Sequence, residues 1–80
     1  MNNSDKLLQA VAVVLRQPAA RIGANTDQDN VEGWDSMAMV NLVLELEQVF
    51  GVQFNILEIA NLRSVALIKA VLSEKGVPFV

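Results

Sequence analysis

Two residue types that carry much of protein chemistry are missing from this 80-residue chain, which contains no cysteine and no histidine. Without cysteine there are no disulfides, thiolate nucleophiles or zinc–thiolate sites. Without histidine the chain lacks the commonest general base near neutral pH. We therefore expect no catalytic residue, no metal site and no enzymatic activity of its own.

Long apolar runs are also missing, because none approaches the ~20 residues that a bilayer-spanning helix needs. The first residues show no basic segment ahead of a hydrophobic stretch. With 52% hydrophobic and 19% charged residues the composition is that of a globular chain. We expect one domain over residues 1–80, monomeric and cytoplasmic, with no membrane insertion.

Basic residues are absent from the middle of the chain. Residues 22–62 hold seven acidic residues and no Lys or Arg, and all six basic residues lie outside this segment. The negative potential of such a segment repels nucleic acid and attracts basic protein surfaces. The alternative interpretation is a solvated acidic face that only keeps the protein soluble.

The first helix is predicted over residues 4–17, with Ser4 as its N-cap and Pro18 ending it. Periodicity then disappears over residues 18–35, where turn-forming residues predominate. A loop this long is unusual in a small helical bundle and suggests a functional segment. Three apolar residues are expected to anchor it to the core: Ile22, Val31 and Trp34.

The second helix is predicted to start at Asp35 or Ser36 and to end near Phe50, with Gly51 as a left-handed C-cap. On a helical wheel its core face is one contiguous arc. The residues of that arc are Met39, Leu42, Val43, Leu46, Val49 and Phe50.

The rest of the chain predicts a short helix and a closing one. Asn55 and Glu58 have capping-box spacing at the start of residues 56–62, and Ser64 caps a last helix that stops at Gly76. Residues 51–54 form a possible strand. The predicted fold class is all-α: a small four-helix bundle of three longer helices and one short helix, with a long loop between the first and second helices.

The segment Gly33-Trp34-Asp35-Ser36-Met37 lies where the long loop meets the second helix. Asp35-Ser36-Met37 resembles the Asp-Ser-Leu motif of acyl carrier proteins, with Met in place of Leu as a mild apolar change. The resemblance extends from the first helix to Val71. Apolar and acidic residues of the second helix continue it in register: Val40, Leu42, Val43, Leu46, Glu47 and Phe50.

The resemblance implies that Ser36 carries a 4′-phosphopantetheine arm, transferred from coenzyme A by a phosphopantetheinyl transferase, and holds acyl groups as thioesters. A phosphodiester suits a helix N-terminus, whose N–H groups are free and partially positive. The resemblance also implies a surface that meets basic patches of acyl-loading and acyl-using enzymes. Its candidate residues are Asp35, Met37, Val40, Asn41, Leu44, Glu47 and Gln48.

One departure bears on the pathway. Carriers of primary fatty-acid synthesis commonly have acids along the second helix, where this chain has Ala38 and Asn41. Lost rim charges weaken steering and discrimination more than binding itself. We therefore expect a specialised carrier that serves one dedicated lipid, polyketide or related pathway.

Other interpretations stay open at this point. Ser36 or Asp35 could only cap the helix, and Asp35 could instead assist the transferase's metal. Val40 could be ordinary core, and Trp34 is expected to be a core residue rather than a partner contact. The chain could be a peptidyl or aminoacyl carrier, or a helical interaction module without a prosthetic group.

Overall fold

The computed structural model describes residues 2–79, and its helices confirm the predicted all-α fold with a long loop after the first helix. The four α-helices are α1 (Asn3–Leu15), α2 (Ser36–Phe50), α3 (Ile56–Ala60) and α4 (Val65–Glu74). The loop between α1 and α2 contains a 3₁₀ turn at Ala19–Arg21. The possible strand at residues 51–54 is not formed. Among the described residues, strand-like pairing is limited to an isolated bridge between Asp27 and Ser64.

The core is built from α1, α2, α4 and the loops, whereas α3 contributes no buried residue. Its largest fully buried side chains are Leu7, Val11, Leu42, Leu46, Leu62, Val65, Ile68 and Leu72. Burying one such side chain is worth about 1.5–3 kcal/mol. None of the helices formed by residues 2–79 has the length and apolarity that crossing a membrane requires.

The start and end of α1 differ from the prediction. Asn2, not Ser4, is the N-cap, because its side chain accepts a hydrogen bond from the amide of Asp5 at 2.8 Å. Ser4 therefore lies inside the first turn, where it cannot cap. The helix ends at Leu15, and Arg16 adopts a left-handed conformation with φ 56°. The chain thus reverses before Pro18 restricts its neighbour.

The long loop is anchored as predicted by apolar side chains. Ile22 and Trp34 are buried, and Val31 is half-buried against the core. Trp34 is only 6% exposed, which confirms it as a core residue. The loop therefore ends at a fixed point directly before α2.

A polar anchor in the same loop escaped the sequence analysis. Thr26 is buried, and its Oγ1 accepts a hydrogen bond from the Gly23 amide at 2.8 Å. The Thr26 carbonyl accepts a second bond from the Val65 amide at 2.9 Å, which joins the loop to the start of α4. Its polar atoms are thus satisfied, as burial requires.

Helix α2 has the predicted bounds, with Gly51 as a left-handed C-cap at φ 66°. Its core face differs from the prediction at two residues. Val49 was expected in the core but is 37% exposed, and Ala38 was not expected there but is buried. Val49 lies at the edge of the arc, where a shallow groove between α1 and α2 stays open between Val13 and Val49.

The capping box of α3 is confirmed. The Asn55 side chain accepts from the Glu58 amide at 2.8 Å, and the Glu58 carboxylate accepts from the Asn55 amide at 2.9 Å. The helix ends at Ala60 rather than near Leu62, because Leu62 is drawn fully into the core.

Helix α4 also begins as predicted. The Ser64 side chain caps it by accepting a bond from the Leu67 amide at 3.0 Å. The helix ends at Glu74, and the chain then turns at Gly76, whose φ is +92°.

Candidate functional site

Ser36 is the first residue of α2, and its side chain is exposed. Within residues 2–79 its hydroxyl takes part in no hydrogen bond. The two preceding residues fix its place: Trp34 is buried and donates from Nε1 to Met39 Sδ at 3.0 Å, and Asp35 caps the helix. An exposed hydroxyl therefore stands on a rigid junction, where a partner protein can reach it.

Two of the four amides in the first turn of α2 donate hydrogen bonds within the described chain, and two do not. Asp35 satisfies two of them, since its carboxylate accepts from the Ala38 amide and its carbonyl accepts from the Met39 amide, both at 2.9 Å. The amides of Ser36 and Met37 have no acceptor within residues 2–79. These two N–H groups form the partially positive end of the helix and suit a phosphate oxygen.

The remaining hydroxyls of the described chain are placed differently. The Ser64 side chain is used as a helix cap, and Thr26 is buried. Ser4 and Ser73 lie within α1 and α4. Ser36 is thus the serine that combines exposure with the start of a long helix.

An apolar groove begins at Ser36 and runs between α2 and α3. Its volume is about 390 Å³, and its lining residues are Ser36, Met39, Val40, Val43, Leu44 and Ile59. Ile59 also lines a neighbouring depression of about 460 Å³ with Phe54, Ile56 and Leu57. Beyond the Ser36 hydroxyl, the lining of the groove consists of aliphatic and thioether side chains.

Large apolar side chains are exposed around the groove. Val40 is 62% exposed, so the alternative that it belongs to the core is wrong. Met37 and Leu44 are 78% and 60% exposed, as a contact surface requires. Ile56 and Leu57 of α3, 84% and 77% exposed, were missed from sequence. The brevity of α3 was the available signal, since a one-turn helix cannot bury every apolar residue it carries.

The polar residues predicted for the same surface separate into two groups. Asn41 and Gln48 are exposed. Glu47 is half-buried, and its Oε2 accepts a hydrogen bond from the Phe54 amide at 2.9 Å. One carboxylate oxygen of Glu47 is therefore engaged within the chain, whereas Asn41 and Gln48 are free to meet a partner.

Glu58 of α3 is engaged as well. Its Oε1 lies 2.8 Å from Lys75 Nζ. Hydrogen bonding to Lys75, followed by the Asn55 amide, lowers the pKa of the Glu58 carboxyl below its ordinary value. The exposed acid next to Ser36 is Asp35, and the loop before α2 carries two more, Asp29 and Glu32. No cluster of His, Cys, Asp or Glu in residues 2–79 could hold a metal ion.

The sequence model of the family described as "Phosphopantetheine attachment site" matches residues 5–72, which is most of the chain. The chain belongs to this family. The carrier-protein resemblance is thereby confirmed, as is the covalently attached 4′-phosphopantetheine cofactor. No curated protein and no solved structure compared with the chain is significantly similar to it.

As a phosphopantetheine carrier domain, the protein bears thioester-linked groups on its arm and works with a phosphopantetheinyl transferase and with partner enzymes. Carrier domains of this kind are generally not catalytic. Because proteins of this family carry a covalently attached arm, an interaction module without a prosthetic group is disfavoured. The exposed hydroxyl and the two free amides at the start of α2 fit such an arm and its phosphate.

Proposed function

We propose that Ser36 carries the 4′-phosphopantetheine arm and that the protein is an acyl carrier of one dedicated lipid, polyketide or related pathway. The observation that carries this proposal is the exposed Ser36 hydroxyl at the mouth of an apolar groove. The phosphate of the arm would be held by the Ser36 and Met37 amides. The arm supplies the thiol on which the cargo is bound as a thioester.

In the attachment reaction the chain supplies the nucleophile. The Ser36 oxygen forms the phosphodiester bond, the pyrophosphate bond of coenzyme A breaks, and the adenosine-bearing phosphate leaves with the bonding electrons. We expect a base of the transferase to take the serine proton, because the chain has no histidine or cysteine. The same lack of strong nucleophiles protects a bound thioester from hydrolysis.

The test of the site uses intact-mass spectrometry after incubation with a broad-specificity transferase and coenzyme A. We expect wild type and Ser73→Ala to gain one phosphopantetheinyl group, and Ser36→Ala to gain none while keeping its helical circular dichroism. Ser73 is the matched control, because it is an exposed helical serine far from the α2 N-terminus in sequence. A folded Ser36→Ala protein that is still modified would refute the assignment.

The groove favours an acyl cargo over an aminoacyl one. Its lining offers contact to a hydrocarbon chain but no acceptor for an ammonium group. Placing an ammonium in such surroundings without a partner is costly, whereas an alkyl chain gains by leaving water. An acyl chain on the arm is thus expected to lie along Val43 and Ile59.

Methyl NMR distinguishes the two cargoes. We expect octanoyl loading to shift the Val43 and Ile59 methyl signals, and glycyl loading to leave them near their positions in the unloaded holo form. The methyls of Val11, fully buried and outside the groove lining, are the internal control. Equal shifts with both cargoes would favour the peptidyl or aminoacyl alternative.

Partner enzymes are proposed to dock on the exposed apolar surface around Met37, Val40 and Leu44, with basic patches facing the acidic loop at Asp29 and Glu32. Exposed apolar groups rimmed by polar ones are typical of protein contact sites. The charges of the loop would act on the association rate, and the apolar side chains on the lifetime of the complex.

Docking is tested by steady-state kinetics of the transferase with the apo carrier as substrate. We expect Leu44→Ser to raise KM, while Val13→Ser, a similarly exposed apolar residue in the separate groove between α1 and α2, leaves it unchanged. If Val13→Ser impairs the reaction as much as Leu44→Ser does, the proposed surface is wrong.

A further inference from the structure

The core holds the chain on either side of helix α3, at Phe54 and Leu62, but buries none of the five residues of the helix itself. Directly before it, the Phe54 amide donates to Glu47 Oε2 at 2.9 Å. In its first turn, Glu58 pairs with Lys75, whose Nζ also lies 5.5 Å from the centroid of the Phe54 ring.

These contacts connect α3 to two different helices. Glu47 belongs to α2, and Lys75 directly follows α4. The side chains of Lys75 and Glu58 are only 21% and 22% exposed, so water and salt screen their pairing less than they screen a fully exposed pair. A cation over an aromatic ring adds a further attraction. Lys75 therefore contacts both the segment that leads into α3 and α3 itself.

The position of α3 determines the shape of the apolar groove. Ile59 is the groove-lining residue that α3 contributes, opposite Val43 and Leu44 of α2. A helix of five residues has little stability of its own, because nucleation alone outweighs its few hydrogen bonds. Between its flanking core residues, its place relative to α2 thus rests on the contacts made by Glu47 and Lys75.

We propose that Lys75 and Glu47 are positioning residues for the cargo, which hold α3 against α2 and so limit the length of acyl chain that the groove accepts. Neither residue is among those lining the groove. They act through Glu58 and Phe54. The proposal rests on the proposed function in one respect, namely that the groove beside Ser36 receives an acyl chain.

The first test needs neither arm nor cargo. In the apo protein, Lys75→Met should speed the amide hydrogen exchange of Ile59 by about two- to fivefold relative to wild type, with the Leu46 amide as the measure of global opening. Lys75→Arg should restore the slow exchange. Lys69→Met is the matched control, because Lys69 also lies over a ring, that of Phe79 at 5.6 Å, whereas Glu58 of α3 pairs with Lys75. Unchanged Ile59 exchange in Lys75→Met overturns the proposal.

The second test measures the length limit. Wild type and Lys75→Met are loaded by a transferase from octanoyl- and dodecanoyl-coenzyme A, and the Val43 and Ile59 methyl shifts are compared. We expect the two cargoes to differ clearly in wild type and to converge in Lys75→Met, in which α3 can move away. A length dependence identical in both proteins overturns the proposal.

The outcomes separate this inference from the function on which it rests. If intact mass shows no modification of Ser36, the attachment site is wrong, and the exchange experiment alone still decides whether Lys75 holds α3. If wild type is modified but no acyl chain shifts Val43, the groove does not receive the cargo, and the length-limiting role is refuted with it.

Discussion

Substitutions of Asp35 can distinguish its role as a helix cap from a role in the transferase reaction. Its carboxylate accepts the Ala38 amide at 2.9 Å, and Asp35→Ala removes this cap. Loss of such a cap costs about 0.5–2 kcal/mol, typically ~1. Because α2 supplies Leu42 and Leu46 to the core, fraying of its first turn weakens the whole domain, and Tm should fall by roughly 4–8 °C per kcal/mol.

Asp35→Asn is the matched control, since asparagine caps about as well as aspartate but carries no charge. We expect it to keep nearly wild-type stability in urea unfolding followed by the fluorescence of Trp34, the single tryptophan. If Asp35→Ala unfolds at the same urea concentration as wild type, the capping argument is refuted.

The same pair of variants decides between the two roles left open for Asp35. If the carboxylate also assists the transferase's metal, both variants lose kcat/KM for modification. If it acts only as a cap, Asp35→Ala alone is impaired. In that case the negative charge of Asp35 at the N-terminus of α2 contributes little to kcat/KM.

Three further outcomes follow from packing and charge. Leu46→Ala should lower the free energy of unfolding by about 2.7–5 kcal/mol in urea, because Leu46 is fully buried. Val40→Ala should change it by less than ~0.5 kcal/mol, because Val40 is exposed. Similar losses at both positions would contradict the assigned burial. Gly33 has φ +92°, and an added Cβ would lie 3.2 Å from the Leu15 carbonyl oxygen. Gly33→Ala should therefore lower the free energy of unfolding by about 1–3 kcal/mol. Gly23→Ala is the control and should leave the urea midpoint near that of wild type, because an added Cβ there would meet no atom within 4 Å. The folded-state pKa of Glu58 lies below its ordinary value of 4.5, so the stabilisation from its pairing is complete above that pH and is lost as pH falls through the lowered value. The Ile59 methyl signal should therefore move in acid in wild type and not in Lys75→Met, and a pH-independent signal in wild type would count against the pairing.

Local features of the fold were predictable because they depend on residues a few positions apart. The caps at Asp35, Asn55 and Ser64 are side-chain bonds to amides three residues ahead. Asn55 and Ser64 were correctly placed, and Asp35 was one of the two candidates for the start of α2. The cap of α1 was not correctly placed, because Asn2 and Ser4 compete as caps and sequence alone does not decide between them.

Contacts between distant segments could not be predicted. The Thr26 carbonyl is bonded to the Val65 amide, and Glu58 of α3 is paired with Lys75. Many acidic and basic residues could have paired with equal plausibility. Counting the acids of the central segment likewise could not show that one oxygen of Glu47 is already engaged by the Phe54 amide.

For the candidate attachment site, the position of Ser36 in the fold was predictable, but the residues around it were not. The loop–helix junction pointed to Ser36, and the structure places its side chain in solvent. The groove beside it joins residues of α2 with Ile59, which no helical wheel of α2 includes.

The most direct measurement is tryptic peptide mapping of the transferase-treated protein. The chain has no Lys or Arg between Arg21 and Arg63, so trypsin releases one peptide of residues 22–63 in which Ser36 is the only serine, and Ser4, Ser64 and Ser73 fall in three other peptides. We predict the mass of one phosphopantetheinyl group on peptide 22–63, assigned to Ser36 by fragmentation. The same mass on Thr26 or on any other peptide, or on none, would contradict the account.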